Sequence, residues 1–180
     1  SSHKISGPKG IGAIIVKDMN ILNSFIKGGG QEFGKRSGTE NLMNIEGFAA
    51  SVEDKLLEIN CGKWEEIKLN RDYLEEMILN ESQNTKVVGK NTERLPNTSF
   101  FITPGWKNDY QVASMDLEGF AISSGMACSS GKKNKQSSIT GMGYSETESN
   151  CGIRVSIGGT TSITELEKFV SVWSSFQKKI

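Results

Sequence analysis

Residues 1–16 constrain this chain more than any other stretch. Ser1-Ser2-His3-Lys4 is followed by Ile5-Ser6-Gly7-Pro8-Lys9-Gly10-Ile11-Gly12, and then by the apolar run Ala13-Ile14-Ile15-Val16. Glycine and proline at this density force a tight turn, because glycine reaches left-handed backbone and proline fixes its own φ. The run beyond the turn has the length and composition of a buried strand, Ile11–Val16. A lysine just ahead of such a turn and strand sits on rigid backbone. A desolvated lysine amine loses its proton readily and becomes a nucleophile toward an aldehyde. Alone, Lys4 would read as one more surface lysine; the rest of the chain argues otherwise.

A second glycine-rich stretch, Gly28-Gly29-Gly30-Gln31-Glu32-Phe33-Gly34-Lys35-Arg36-Ser37-Gly38-Thr39-Glu40-Asn41, is a loop, since three consecutive glycines suit neither helix nor strand. Its backbone N–H groups, with Arg36, Ser37 and Thr39, are donors suited to phosphate or carboxylate. Thr39 is also placed to cap the helix that follows, whose apolar residues Leu42, Ile45, Phe48, Ala49, Val52 and Leu56 fall at helical spacing. Asn60-Cys61-Gly62 ends that helix, and another is expected from about Trp64 to Leu79.

The pattern then changes. Short strands are expected at Lys86–Val88 and Thr98–Ile102, a helix near Asp109–Leu117, and strands through Phe120–Ile122 and Ile153–Ile157. Between the last two lies Ser123-Ser124-Gly125-Met126-Ala127-Cys128-Ser129-Ser130-Gly131, where small residues surround one cysteine. Lys132 and Lys133 follow, and nearby cations favour the thiolate, the form that attacks. Arg154, amid apolar neighbours, is able either to pair with a structural carboxylate or to clamp a ligand carboxylate through its fork. The last helix opens with a capping box, Ser162…Glu165, and turns Leu166, Phe169, Val170 and Trp173 inward.

Lys plus Arg and Asp plus Glu both number 21, so charge implies no attraction to nucleic acid or an anionic membrane, and no apolar run reaches spanning length. Cys61, Cys128 and Cys151 offer neither metal-ligand spacing nor a paired framework. Cys61, at a helix junction, reads as an inert small residue, and Cys151 as a packing residue. Unpaired thiols suit a reducing compartment, the cytoplasm or an organelle matrix.

Taken in order, Ser-x-His-Lys with GPKGIG, GGGQE-x-G-x-RSGTEN, SSG-x-ACSSG and IRVSIG make a set that resembles the cysteine desulfurases. These are enzymes of the class-V aminotransferase group that use pyridoxal 5′-phosphate (PLP). The resemblance implies an α/β chain of the PLP-dependent type I fold. Residues 1–60 would be the closing part of a mostly parallel large-domain sheet, and residues 61–180 a small α+β domain with the catalytic cysteine loop. It further implies that Lys4 bonds the cofactor aldehyde and that Ser1 and His3 help hold the cofactor phosphate. Thr39 would reach the phosphate of a partner subunit in a homodimer. Cys128 would receive sulfur from L-cysteine as a persulfide, and Arg154 would grip the substrate carboxylate. Alanine would be released, and the sulfur passed to an acceptor such as an iron–sulfur scaffold protein.

The stretch after the cysteine, Gln136-Ser137-Ser138-Ile139, lacks the histidine usual there. The histidine that stacks on the cofactor ring and the aspartate that pairs with its pyridine nitrogen also have no counterpart. The chain opens inside a motif without an initiator methionine, so a fragment holding half a site is expected, inactive by itself and with uncovered apolar faces. Two other readings are a selenocysteine lyase and a non-catalytic sulfur-relay or docking module. Lys4 argues against the module, which has no use for such a lysine.

Overall fold

A break at Gly62–Lys63 divides the chain into two units, Ser1–Gly62 and Lys63–Ile180; the computed structural model describes residues 1–125 and 138–180. In the first unit the long element is helix α1 (Leu42–Asn60), which ends at the glycine foreseen for it. Asn41 caps it, its side chain accepting from the Asn44 N–H at 3.2 Å, so the cap assigned to Thr39 is corrected. A capping side chain reaches the second or third N–H of the helix, and Thr39 lies two residues too early.

Among the described residues no strand forms before Lys86. The strand expected over Ile11–Val16, and with it the parallel sheet expected of residues 1–60, is therefore not observed. A strand exists only beside another whose backbone it pairs with, and this segment has none. Ile15 is 96% exposed and Phe25 97%, so the expectation of uncovered apolar faces holds for this unit.

The second unit contains helix α2 (Lys63–Glu81), β1 (Lys86–Val87), β2 (Thr98–Ile102), helix α3 (Asn108–Leu117) and β3 (Ser123–Ser124). It continues with the short helices α4 (Ser138–Gly141) and α5 (Glu146–Ser149), then β4 (Gly152–Ser156) and α6 (Ile163–Gln177). The sheet runs β1-β2-β4-β3, antiparallel throughout. Alternation along β2 and β4 sends Phe101, Ile153 and Val155 to the core face, where α2 and α6 cover them with Leu74, Ile78, Phe169 and Trp173. The capping box at Ser162 and Glu165 and the inward face of α6 are as foreseen.

The strand expected over Phe120–Ile122 begins later, at Ser123. The Phe120 N–H is taken by the Met115 carbonyl at 2.9 Å, closing α3 through left-handed Gly119, so it cannot join a ladder. The Phe120 ring meets Phe169 edge-on at 5.5 Å instead. Two buried polar groups tie the unit together. Gln111 donates from Nε2 to the carbonyls of Trp106 and Cys151, fixing α3 against the entry to β4. Glu75 of α2 accepts from Arg94 Nη1 and Nη2, at 2.6 and 2.7 Å, and from the Ser99 hydroxyl.

Candidate active site

The lysine motif is a 3-10 turn, Ser2–Ile5, closed by Ser6 in the left-handed region at φ 67°. The Ser2 N–H donates to the Ile11 carbonyl at 3.0 Å, and Gly7 donates back to Ser2, so the segment folds onto itself. This loop is clasped to α1 at three points. The Asn44 side chain donates to the Lys9 carbonyl at 3.1 Å, Pro8 lies against Gly47, and Ser2 and Gly7 lie against Ser51. A Cβ on Gly7 would fall 2.5 Å from Ser51 Oγ and into the Ser2 hydroxyl, and one on Gly47 would fall 3.0 Å from Pro8 Cγ. Glycine at position 7 is a packing requirement, whereas at position 47 a Cβ would ask the Pro8 ring to give by a few tenths of an ångström.

Ser2 is fully buried, and its hydroxyl has no hydrogen-bond partner among the described residues. Ser1, His3 and Lys4 are exposed on the same turn. The desolvated setting expected for the Lys4 amine is not present in this structure, where the lysine is solvent-accessible. The turn anchors through Ser2 and leaves three polar side chains outside it. A group carrying an aldehyde and a phosphate fits that set, with the amine for the one and the hydroxyl and imidazole for the other.

The glycine-rich loop is braced by its own side chains. Ser37, buried, donates from Oγ to the Gly29 carbonyl at 2.9 Å, and Arg36 Nη1 donates to the carbonyls of Gly38 and Thr39 at 2.9 and 3.3 Å. Of Arg36 and Ser37, read in the sequence as donors for an anion, Ser37 uses its hydroxyl inside the loop, whereas the exposed Arg36 engages only Nη1 there and keeps Nε and Nη2 for other partners. Thr39 remains exposed. Glu32 and Phe33 hold positive φ, 50° and 57°, so two residues with side chains carry left-handed strain that the sequence would have placed on glycine.

In the second unit Arg154 occupies the middle of β4, paired with Phe100 of β2 on one side and Ser123 of β3 on the other. It is half-buried, and its Nη2 donates to Ser123 Oγ at 3.2 Å. Among the described residues no carboxylate lies within 4.0 Å of it. Of the two roles open to this arginine, structural pairing therefore finds no carboxylate partner. Cys128, with Lys132 and Lys133, lies outside the described residues. Cys61 is exposed, its Sγ donating to the Glu58 carbonyl, and Cys151 is buried beside Val88, Ile102 and Ile139. Ser123 is the residue sequence reasoning passed over. Its signal was slight, a serine placed where a strand turns into a small-residue loop.

A family model described as aminotransferase class-V matches residues 1–169. The chain belongs to that family. Members of the class-V aminotransferases work through PLP. A cysteine desulfurase of Cereibacter sphaeroides is 34% identical over 172 residues, covering 96% of this chain and 43% of its own length. A NifS-like protein from Rickettsia africae superposes with a TM-score of 0.73 at 29% identity, over 88% of this chain and 40% of that one. A structure described as SspA in complex with cysteine superposes with a TM-score of 0.60 at 29% identity, over 90% of this chain and 44% of its own. This class-V chain thus has the α/β fold of NifS-like proteins and spans less than half the length of the relatives it matches.

Proposed function

We propose that these residues form the lysine-, cysteine- and arginine-bearing part of a PLP-dependent cysteine desulfurase. The observation that carries this reading is Arg154: a half-buried guanidinium on a central strand, oriented by a neutral hydroxyl and paired with no described carboxylate. Such a group is ready for the carboxylate of an amino acid, which its planar fork binds through two parallel hydrogen bonds. The similarity to cysteine desulfurases and to a protein solved with cysteine supports L-cysteine as that amino acid.

Ser1, His3 and Thr39 would hold the cofactor phosphate, Thr39 across a homodimer, and Lys4 would meet the aldehyde. When bound, the cofactor supplies an electron sink for the substrate carbon. Lys4, exposed on a turn clasped at three points, takes the Cα proton and returns one to the product carbon. Cys128 Sγ, as thiolate, attacks the substrate sulfur: the S–S bond forms, the Cβ–S bond breaks, and the bonding pair leaves with carbon, which gains a proton. The products are alanine and a persulfide on Cys128, so no outside oxidant or reductant is needed. An acceptor protein, such as an iron–sulfur scaffold in a reducing compartment, would take the terminal sulfur.

The test is alanine formation from L-cysteine by the complete PLP-loaded polypeptide. Arg154→Ala is expected to raise the KM by ten-fold or more, on the scale of a lost charge-assisted pair. Cys128→Ser is expected to form no persulfide. An Arg154→Ala protein with unchanged KM would remove the support on which this reading stands.

A further inference from the structure

We infer that Ser123 is a positioning residue for Arg154, an inference that rests on the carboxylate-gripping role proposed above. Ser123 and Arg154 are direct cross-strand partners, so their side chains share one face of the sheet, and the 3.2 Å bond from Nη2 to Oγ spans them. The other cross-strand neighbour, Phe100, offers only an aromatic ring and lays it against Gly152, where a Cβ would fall 2.6 Å from Cζ. Of the two cross-strand partners of Arg154, then, only Ser123 offers a polar group that can fix the direction of the guanidinium.

The chemistry of this partner matters. An arginine carries five N–H donors, and one bond to a hydroxyl leaves the rest for a ligand. A carboxylate in the same place would orient the side chain too, but it would also compete with the substrate for the charge. A neutral acceptor aims the fork without neutralising it. Ser123 is itself held, because it and Ser124 pair with Arg154 and Ile153 in the β3–β4 ladder. A ligand-binding side chain set by a neighbour on a rigid element meets substrate with less freedom left to lose.

The experiment compares Ser123→Val with Ser123→Thr in the complete PLP-loaded polypeptide. The two replacements match in shape and β-branching and differ in the hydroxyl, so the threonine variant controls for folding. Two readouts are taken: kcat and KM for L-cysteine, and the ¹⁵N side-chain signal of Arg154, assigned by its loss in Arg154→Lys. Ser123→Val is expected to raise KM about 3- to 10-fold with little change in kcat, the size of one lost hydrogen bond to a charged group. It should also broaden the Arg154 signal, while Ser123→Thr restores both. An Arg154 signal identical in the valine and threonine variants, or an equal KM for the two, overturns the inference. A wild type that makes no alanine overturns the proposed function instead, and the Arg154 signal, which needs no turnover, then decides this inference alone.

Discussion

The Phe100 ring rests on Gly152, two positions before Arg154 in β4, and occupies the space that a side chain at residue 152 would need. Phe100 thus links two residues of β4: it packs against Gly152 and is the cross-strand partner of Arg154. Gly152→Ala is expected to lower stability by about 1–3 kcal/mol, the usual cost of forcing a methyl into filled space. Urea denaturation of the two proteins checks this, and an unchanged midpoint would mean that the ring moves aside freely.

Ser2 and Gly7 give a pair of opposite signs. Ser2→Ala removes a buried hydroxyl without a described partner and is expected to be neutral or to stabilise by about 1 kcal/mol, since an unsatisfied buried polar group is costly. Gly7→Ala drives a methyl into Ser2 and Ser51 and is expected to destabilise by about 2 kcal/mol or more. Thermal melts of the two variants should move in opposite directions, or the first should stay still while the second falls.

Glu75 is a buried carboxylate with Arg94 and Ser99 on it and Arg71 at 3.9 Å. Glu75→Ala leaves these cations without their shared partner, and a loss of about 3–5 kcal/mol is expected, the range for breaking a buried pair from one side. Replacing Glu75 and Arg94 together by apolar residues should recover part of that loss, which a double-mutant cycle reads directly.

Glu148 provides a pH dependence with a fixed sign. The Lys86 ammonium at 2.7 Å, and behind it the Ser145 backbone and hydroxyl, lower its carboxyl from 4.5 to about 2. A carboxyl depressed in the folded state stabilises it fully above its unfolded pKa, and the contribution disappears as pH falls through the folded value. The link between β1 and α5 should therefore weaken between about pH 4.5 and about pH 2. In Lys86→Ala the Glu148 titration, followed by carbon NMR, should move up toward the ordinary carboxylate range.

Local rules carried the second unit. The capping box at Ser162, the period of α6 and the β-type runs at Lys86 and Thr98 each act within a few residues, and each appears nearly where the sequence put it. The first unit was harder. Ile11–Val16 has strand composition, but a ladder needs a neighbour, and no property of the six residues supplies one. Thr39 and Asn41 are both good caps, and only the observed start of α1 at Leu42 chooses between them. For the candidate site, the residue types at Lys4 and Arg154 were legible. The exposure of Lys4 and the bond from Arg154 to Ser123 were not, because both depend on which backbones lie side by side.

The most direct measurement of the central claim is the visible absorbance spectrum after adding PLP to the complete polypeptide, beside Lys4→Ala and beside residues 1–180 alone. A band above 400 nm that requires Lys4 is expected in the complete wild-type protein. Such a band, equally strong in Lys4→Ala, or none in a folded wild-type protein, would contradict the assignment of Lys4 and with it the desulfurase reading.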